Sequence, residues 1–254
     1  MFALSTKGVT KRFGGLVAVR DVSINIPHGE RRSLIGPNGA GKTTLFNLIA
    51  GDLYPTYGEV YVFDKNVTRM APHKRVSYGL RRTYQTSALF NQLTVIENLY
   101  LGVLGAKKKG HFSILSTAKD DKTCMEQAIR ISELIRLSER LSSMVGDLSH
   151  GECRQLEIGL AIAHEPRLIM LDEPAAGLSI DERKVIVDLI NSFDRNISLL
   201  LIEHDMEVAL TIADRVTVLH EGQIIAEGTP SEISNNSLVQ EVYLGECILS
   251  LIHI

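Results

Sequence analysis

Gly36-Pro37-Asn38-Gly39-Ala40-Gly41-Lys42-Thr43 fits the pattern G-x-x-x-x-G-K-[ST]. The stretch Arg32-Ser33-Leu34-Ile35 before it reads as a short strand. Lys42 to Ala50 after it carries helix formers with apolar residues at helical spacing. Strand, glycine loop and helix in that order form a cradle for phosphate. Glycines let successive backbone N–H groups converge on phosphate oxygens without side chains in the way. The start of the helix adds the positive end of its dipole. Lys42 supplies a mobile cation for the β- and γ-phosphates, and the Thr43 hydroxyl is a ligand for Mg²⁺.

Outward from this loop, Gly14-Gly15 separates two strand-like runs as a tight turn does, and Val22 to Ile26 alternates apolar with polar. Leu168 to Leu171 and Leu199 to Ile202 are wholly apolar, as expected of strands at the centre of a parallel sheet. Helices are expected over 181–193, with Val185, Leu189 and Phe193 on the inner face, and over 205–213. Val216–Leu219 and Gln223–Ala226, joined through Glu221-Gly222, read as a closing hairpin. Between Ser87 and Leu148 the alternation stops; segment 122–141 sets Ala128, Ile131 and Ile135 on one helical face. The reading is an α/β body with an inserted helical lobe and ligands at the strand C-termini. A phosphate loop calls for a carboxylate-bearing strand beside it, and Leu168–Leu171 ends in Asp172-Glu173. Asp172 can orient the Mg²⁺ shell, and Glu173 can act as base toward the attacking water.

With 254 residues, 44% hydrophobic and 22% charged, the chain has the composition of a globular protein able to bury a core. A formal net charge of −3 provides no global field for nucleic acid, and no such partner is expected. No apolar run reaches the roughly 18–20 residues of a spanning helix. The N-terminus lacks a basic start followed by an apolar stretch, and the 3 widely spaced cysteines point to reduced thiols, so the expected location is cytoplasmic.

Five further elements, in order, make the chain resemble the nucleotide-binding subunit of ATP-binding-cassette (ABC) transporters over essentially its whole length. GPNGAGKTT, ending in Thr44, corresponds to the phosphate loop, and Gln85 in Arg82-Thr83-Tyr84-Gln85 to the Q-loop. Leu148-Ser149-His150-Gly151-Glu152 corresponds to the signature, LIMLDEP to the carboxylate strand, Ala175–Ser179 to the D-loop, and His204 to the switch histidine. Departures from the commonest pattern are His150 and Glu152 in the signature and Ser179 in place of the D-loop Asp.

The resemblance implies a P-loop NTPase (RecA-like) core with an N-terminal antiparallel β subdomain and an inserted helical subdomain. Residues 1–254 would be one nucleotide-binding domain, with 1–86 and 164–254 as the β and RecA-like core and 87–163 as the helical part. It implies ATP and Mg²⁺ as ligands, with Phe13 stacking on adenine and Gly36 through Thr44 holding the phosphates. Thr43, Gln85 and Asp172 would serve the metal, and Glu173, His204 and Gln85 the hydrolysis. Ser149 and Gly151 would close on ATP held by a second ATP-binding subunit, as homodimer or heterodimer. Separate membrane permease subunits, and a substrate-binding protein in an importer, would be further partners of a chain peripheral on the inner face of the cell membrane. Segments 81–102, 148–163, 171–178 and 241–246 look most like importers of branched-chain amino acids and their urea or amide relatives. Lipopolysaccharide export and a soluble ATPase of iron–sulfur cluster assembly are the alternatives.

Overall fold

The computed structural model describes residues 1–83, 89–107 and 118–243. In chain order its elements are β1 (Phe2–Phe13), β2 (Leu16–Val22), β3 (Asn25–Pro27), β4 (Arg31–Ile35), α1 (Lys42–Ala50), β5 (Tyr57–Val62), β6 (Lys65–Asn66), α2 (Pro72–Val76), β7 (Leu80–Arg82), α3 (Val95–Lys107), α4 (Ala118–Leu134), α5 (His150–Ile162), β8 (Leu168–Asp172), α6 (Ile180–Asn191), β9 (Ser198–Ile202), α7 (Met206–Ile212), β10 (Arg215–His220), β11 (Gln223–Gly228) and α8 (Pro230–Ser234). Two compact units divide the chain: Met1–Arg82 with Arg167–Glu173 and Asp194–Ile254, and Thr83–Pro166 with Pro174–Phe193.

The first unit holds two sheets. One is antiparallel, ordered β2-β1-β5-β6 with β3 also paired to β1, and the two-residue turn after β1 is Gly14-Gly15. The other runs β11-β10-β4-β9-β8-β7 and is parallel except for the β10–β11 hairpin. β8 and β9 are buried from end to end, which is why Leu168–Leu171 and Leu199–Ile202 read as unbroken apolar runs. One core joins the two sheets, with Leu4 and Val60 from the first, Phe46 and Leu48 of α1, and Met170 and Leu200 from the second.

Arg75 anchors the far end of α1. Its guanidinium is fully buried and donates to the carbonyls of Leu48, Ile49, Thr68 and Met70, two of them in the last turn of α1. These are the carbonyls a helix leaves without internal partners. Burial pulls the Arg75 pKa down to about 10, against the pull of Tyr54 and Asp52, so the group stays charged at neutral pH. Gly51, at φ +95, ends the helix where a Cβ would crowd the Arg75 guanidinium. Arg75→Met is expected to cost about 3 kcal/mol of folding stability, because it strands several buried acceptors. Chemical denaturation checks this, and an unchanged midpoint would contradict the anchoring role.

The second unit is helical. α4 buries Ala128 and Ile131, and Ile135 just beyond its end is also buried, the face expected from their spacing. The helix nevertheless ends at Leu134 and does not run on to 141: Arg136 adopts φ +60, and a 3₁₀ turn follows at Ser138–Arg140. The reversal lets Leu137 bury as well. In α6 the buried stripe is Ile186, Leu189 and Ile190, with Phe193 beyond, while Val185 is only half-buried; the inner face is rotated from the one expected.

Candidate functional site

β4 leads directly into the glycine loop, and α1 begins at Lys42 as expected. Gly36 and Gly41 have φ of +148° and +98°. A Cβ on the first would overlap the Leu219 carbonyl oxygen and one on the second the Ala18 carbonyl oxygen, so the loop wraps tightly against neighbouring backbone. No side chain caps the N-terminus of α1, which leaves the positive end of its dipole facing the loop. Lys42 is 7% exposed and its Nζ donates to the Gly36 and Pro37 carbonyls at 2.6 and 2.8 Å. The ammonium is therefore held against the backbone of the loop itself.

Residues 38–44 line a cavity of about 790 Å³, large enough for a nucleotide, together with Phe13, Leu16, Glu173 and Gln223. Phe13 is 46% exposed, with Lys11 Nζ 5.0 Å from its ring centroid. Gly36 and Pro37 are buried behind the loop, and Thr43 is exposed. Phe13, the loop and Glu173, far apart in sequence, thus face one space.

Asp172 closes β8 with 1% exposure. Glu173 follows in the left-handed region at φ +47, a conformation that costs a non-glycine residue roughly 1–2 kcal/mol. Its backbone N–H donates to the Ile202 carbonyl at 2.9 Å, which ties it to the end of β9. His204, just past β9, places Nδ1 3.8 Å from Glu173 Oε2 and 3.9 Å from Glu203 Oε2. The carboxylate strand is not directly beside the loop strand, as the sequence had led us to expect: β9 lies between β4 and β8. The inserted strand is the one that carries His204 to the same edge of the sheet.

Arg82 escaped the sequence reading. Its Nη2 lies 3.7 Å from Asp172 Oδ2, its Nη1 donates to Asn47 and pairs with Asp52, and its guanidinium stacks 4.8 Å from the Phe46 ring centroid. β7 pairs with β8 in a register that sets Arg82 opposite Met170, two residues before Asp172. Its only sequence signal was its place three residues before Gln85. Gln85 itself lies outside the described residues.

The oxygen donors Thr43 and buried Asp172 suit a hard cation such as Mg²⁺, which takes one or two protein ligands and completes its shell with phosphate and water. Among the described residues no group of three or more His, Cys, Asp or Glu forms an all-protein metal cage.

In the helical unit Ser149 caps α5. Its hydroxyl accepts from the Glu152 N–H, and the Glu152 carboxylate accepts the Ser149 N–H in return. Glu152 therefore serves the cap and also pairs with Arg140 at 2.9 Å. Ser179, which stands where the D-loop Asp was expected, caps α6 through the same kind of box with Glu182. The Glu182 carboxylate reaches further: its Oε1 accepts from Gly151 N–H at 3.2 Å and from Ser149 Oγ at 3.3 Å. A Cβ on Gly151 would lie 2.7 Å from that oxygen, while the side chain of His150 is exposed.

A glycine loop between a buried strand and a helix, with Asp172, Glu173 and His204 gathered at one edge of a largely parallel sheet, is the architecture of a P-loop NTPase. The family model described as ABC transporter matches residues 19–176, and the one described as branched-chain amino acid ATP-binding cassette transporter matches residues 223–246. The chain is 40% identical over 249 residues to the high-affinity branched-chain amino acid transport ATP-binding protein LivG of Escherichia coli, covering 96% of this chain and 98% of that one. It is 37% identical over 250 residues to the corresponding protein BraF of Pseudomonas aeruginosa, with the same coverage of 96% and 98%. Among solved structures, the ADP conformation of MJ1267, an ATP-binding cassette of an ABC transporter, superposes with a TM-score of 0.84 at 33% identity, covering 96% of this chain and 99% of that one. A dimeric post-hydrolysis state of the ATP-binding cassette MJ0796 with ADP and Pi gives a TM-score of 0.73 at 26% identity, covering 89% and 98%. The chain belongs to the ABC transporter family, as one of its ATP-binding and ATP-hydrolysing subunits. Among the described residues no helix is long and apolar enough to cross a membrane.

Proposed function

We propose that the chain energises import of branched-chain amino acids through separate permease subunits on the inner face of the cell membrane, supplied by a substrate-binding protein. What carries this reading is the match of residues 223–246 to a family model specific to branched-chain amino acid cassettes, beside relatives of that name aligned over nearly the whole chain. The same likeness favours it over lipopolysaccharide export and iron–sulfur cluster assembly.

In this reading the amides of residues 36–44 and the Lys42 ammonium bind the triphosphate, and Phe13 stacks on the adenine. Thr43, Asp172 and Gln85 would hold Mg²⁺, which when bound neutralises phosphate charge. Arg82 steadies Asp172 from behind. Glu173 takes the proton of the attacking water, and His204 holds the Glu173 carboxylate in position. Ser149 and Gly151 close on the ATP of a second ATP-binding subunit, so that hydrolysis loosens the pair.

The test is uptake of labelled leucine in the native cell with the chain deleted. Uptake is expected to fall to background, to return with the parent chain and not to return with Glu173→Gln. Normal leucine, isoleucine and valine uptake in the deletion would sink the assignment of the solute.

A further inference from the structure

The carboxylate of Glu182 sits on two donors that the reading above reserves for the partner's ATP. We propose that Glu182 is a resident placeholder on the signature, occupying Ser149 and Gly151 until a γ-phosphate displaces it, and so sets the ATP level at which two subunits close. This rests on the shared site of the preceding reading.

Proton counting makes the contact competitive. Ser149 Oγ already accepts from the Glu152 N–H, so its single proton is what it offers Glu182. Gly151 has one N–H, and it too points at Glu182 Oε1. An incoming phosphate oxygen needs the same two protons, and two anions cannot share them without strong repulsion.

The carboxylate is also built to let go on one side. Its Oε2 is held by Ser179, from Oγ at 2.8 Å and from N–H at 3.0 Å, whereas the Oε1 bonds to α5 are longer, at 3.2 and 3.3 Å. Glu182 is thus anchored to its own helix and lightly hung on the signature helix. The bonds from Ser179 first, then those from Gly151 and Ser149, keep its carboxyl below the usual carboxylate range, so it is anionic at neutral pH. Ser149, Gly151 and Glu182 line a cavity of about 250 Å³ together with Arg140, Gln155 and Val185. The departure at Ser179 gains a meaning here: a hydroxyl at the cap of α6 grips Oε2, where the usual aspartate would repel it.

Glu182→Gln removes the charge while keeping a side chain that can complete the capping box. In a chain that also carries Glu173→Gln, the ATP concentration for half-maximal dimer formation, read by light scattering, is expected to fall about fivefold, an ordinary size for coupling between two ligands of one site. In the otherwise unaltered chain, the KM for ATP is expected to fall with kcat held within about twofold, because Glu182 touches no reacting atom. Glu182→Ala loses the cap and melts earlier, but should shift the dimer midpoint in the same direction. Glu232→Gln, which alters an equivalent capping box on α8, should leave that midpoint where it is. A midpoint unmoved or raised by Glu182→Gln or Glu182→Ala would mark Glu182 as a strut and overturn the proposal alone. A Glu173→Gln chain that never dimerises with ATP would overturn the shared site, and the placeholder with it.

Discussion

Glu173→Gln is expected to slow ATP hydrolysis by at least about 100-fold, the lower range for a positioned general base, while nucleotide affinity stays within a few-fold of the parent. The amide matches the carboxylate in size, so the backbone bond of residue 173 to the end of β9 survives, while the charge and with it the ability to take a proton are lost. The position itself supports the role. A glutamate held at φ +47 carries backbone strain, and its N–H bond to Ile202 pins it one residue beyond buried Asp172. His204 at 3.8 Å faces the same carboxylate. Single-turnover hydrolysis and a nucleotide titration, run side by side, check both halves of the expectation. Hydrolysis at the parent rate would remove Glu173 from the role of base.

Lys42→Ala should act on the other quantity. Nucleotide affinity is expected to drop about 10- to 100-fold, the range for losing one charge-assisted hydrogen bond of roughly 1.5–3 kcal/mol. The ammonium is buried against the Gly36 and Pro37 carbonyls, so its removal also frees the loop it pins. Calorimetric titration with ATP measures the loss, and a melting curve without nucleotide separates it from a folding defect. Unchanged affinity would contradict the assignment of residues 36–43 to phosphate.

Much of this site could be read from the linear chain, because each piece depends on consecutive residues. The glycine loop needs only its own backbone freedom, Lys42 and Thr43 follow it directly, and Asp172-Glu173 follow a run whose apolarity announces a buried strand. The β10–β11 hairpin was equally plain, since Glu221 and Gly222 take the positive φ values such a turn requires. Other features had no local signal. Nothing in Arg75 distinguishes it from a surface arginine until α1 delivers its last carbonyls to the guanidinium. The inner face of α6 could not be told from Val185, Leu189 and Phe193 alone, because a stripe one residue to the side satisfies the helical period equally well.

Backbone conformation over a few neighbouring residues is what the sequence determined by itself: a phosphate-binding turn, the strands and helices around it, and the kinds of side chain beside it. Tertiary structure alone decided that β9 separates the loop strand from the carboxylate strand, that Arg82 backs Asp172, and that Glu182 reaches across 31 residues to Gly151. The physical reason is that strand order, register and helix-to-helix approach are chosen by burying apolar surface across the whole chain, and a polar group learns its partner only when that packing brings the two together.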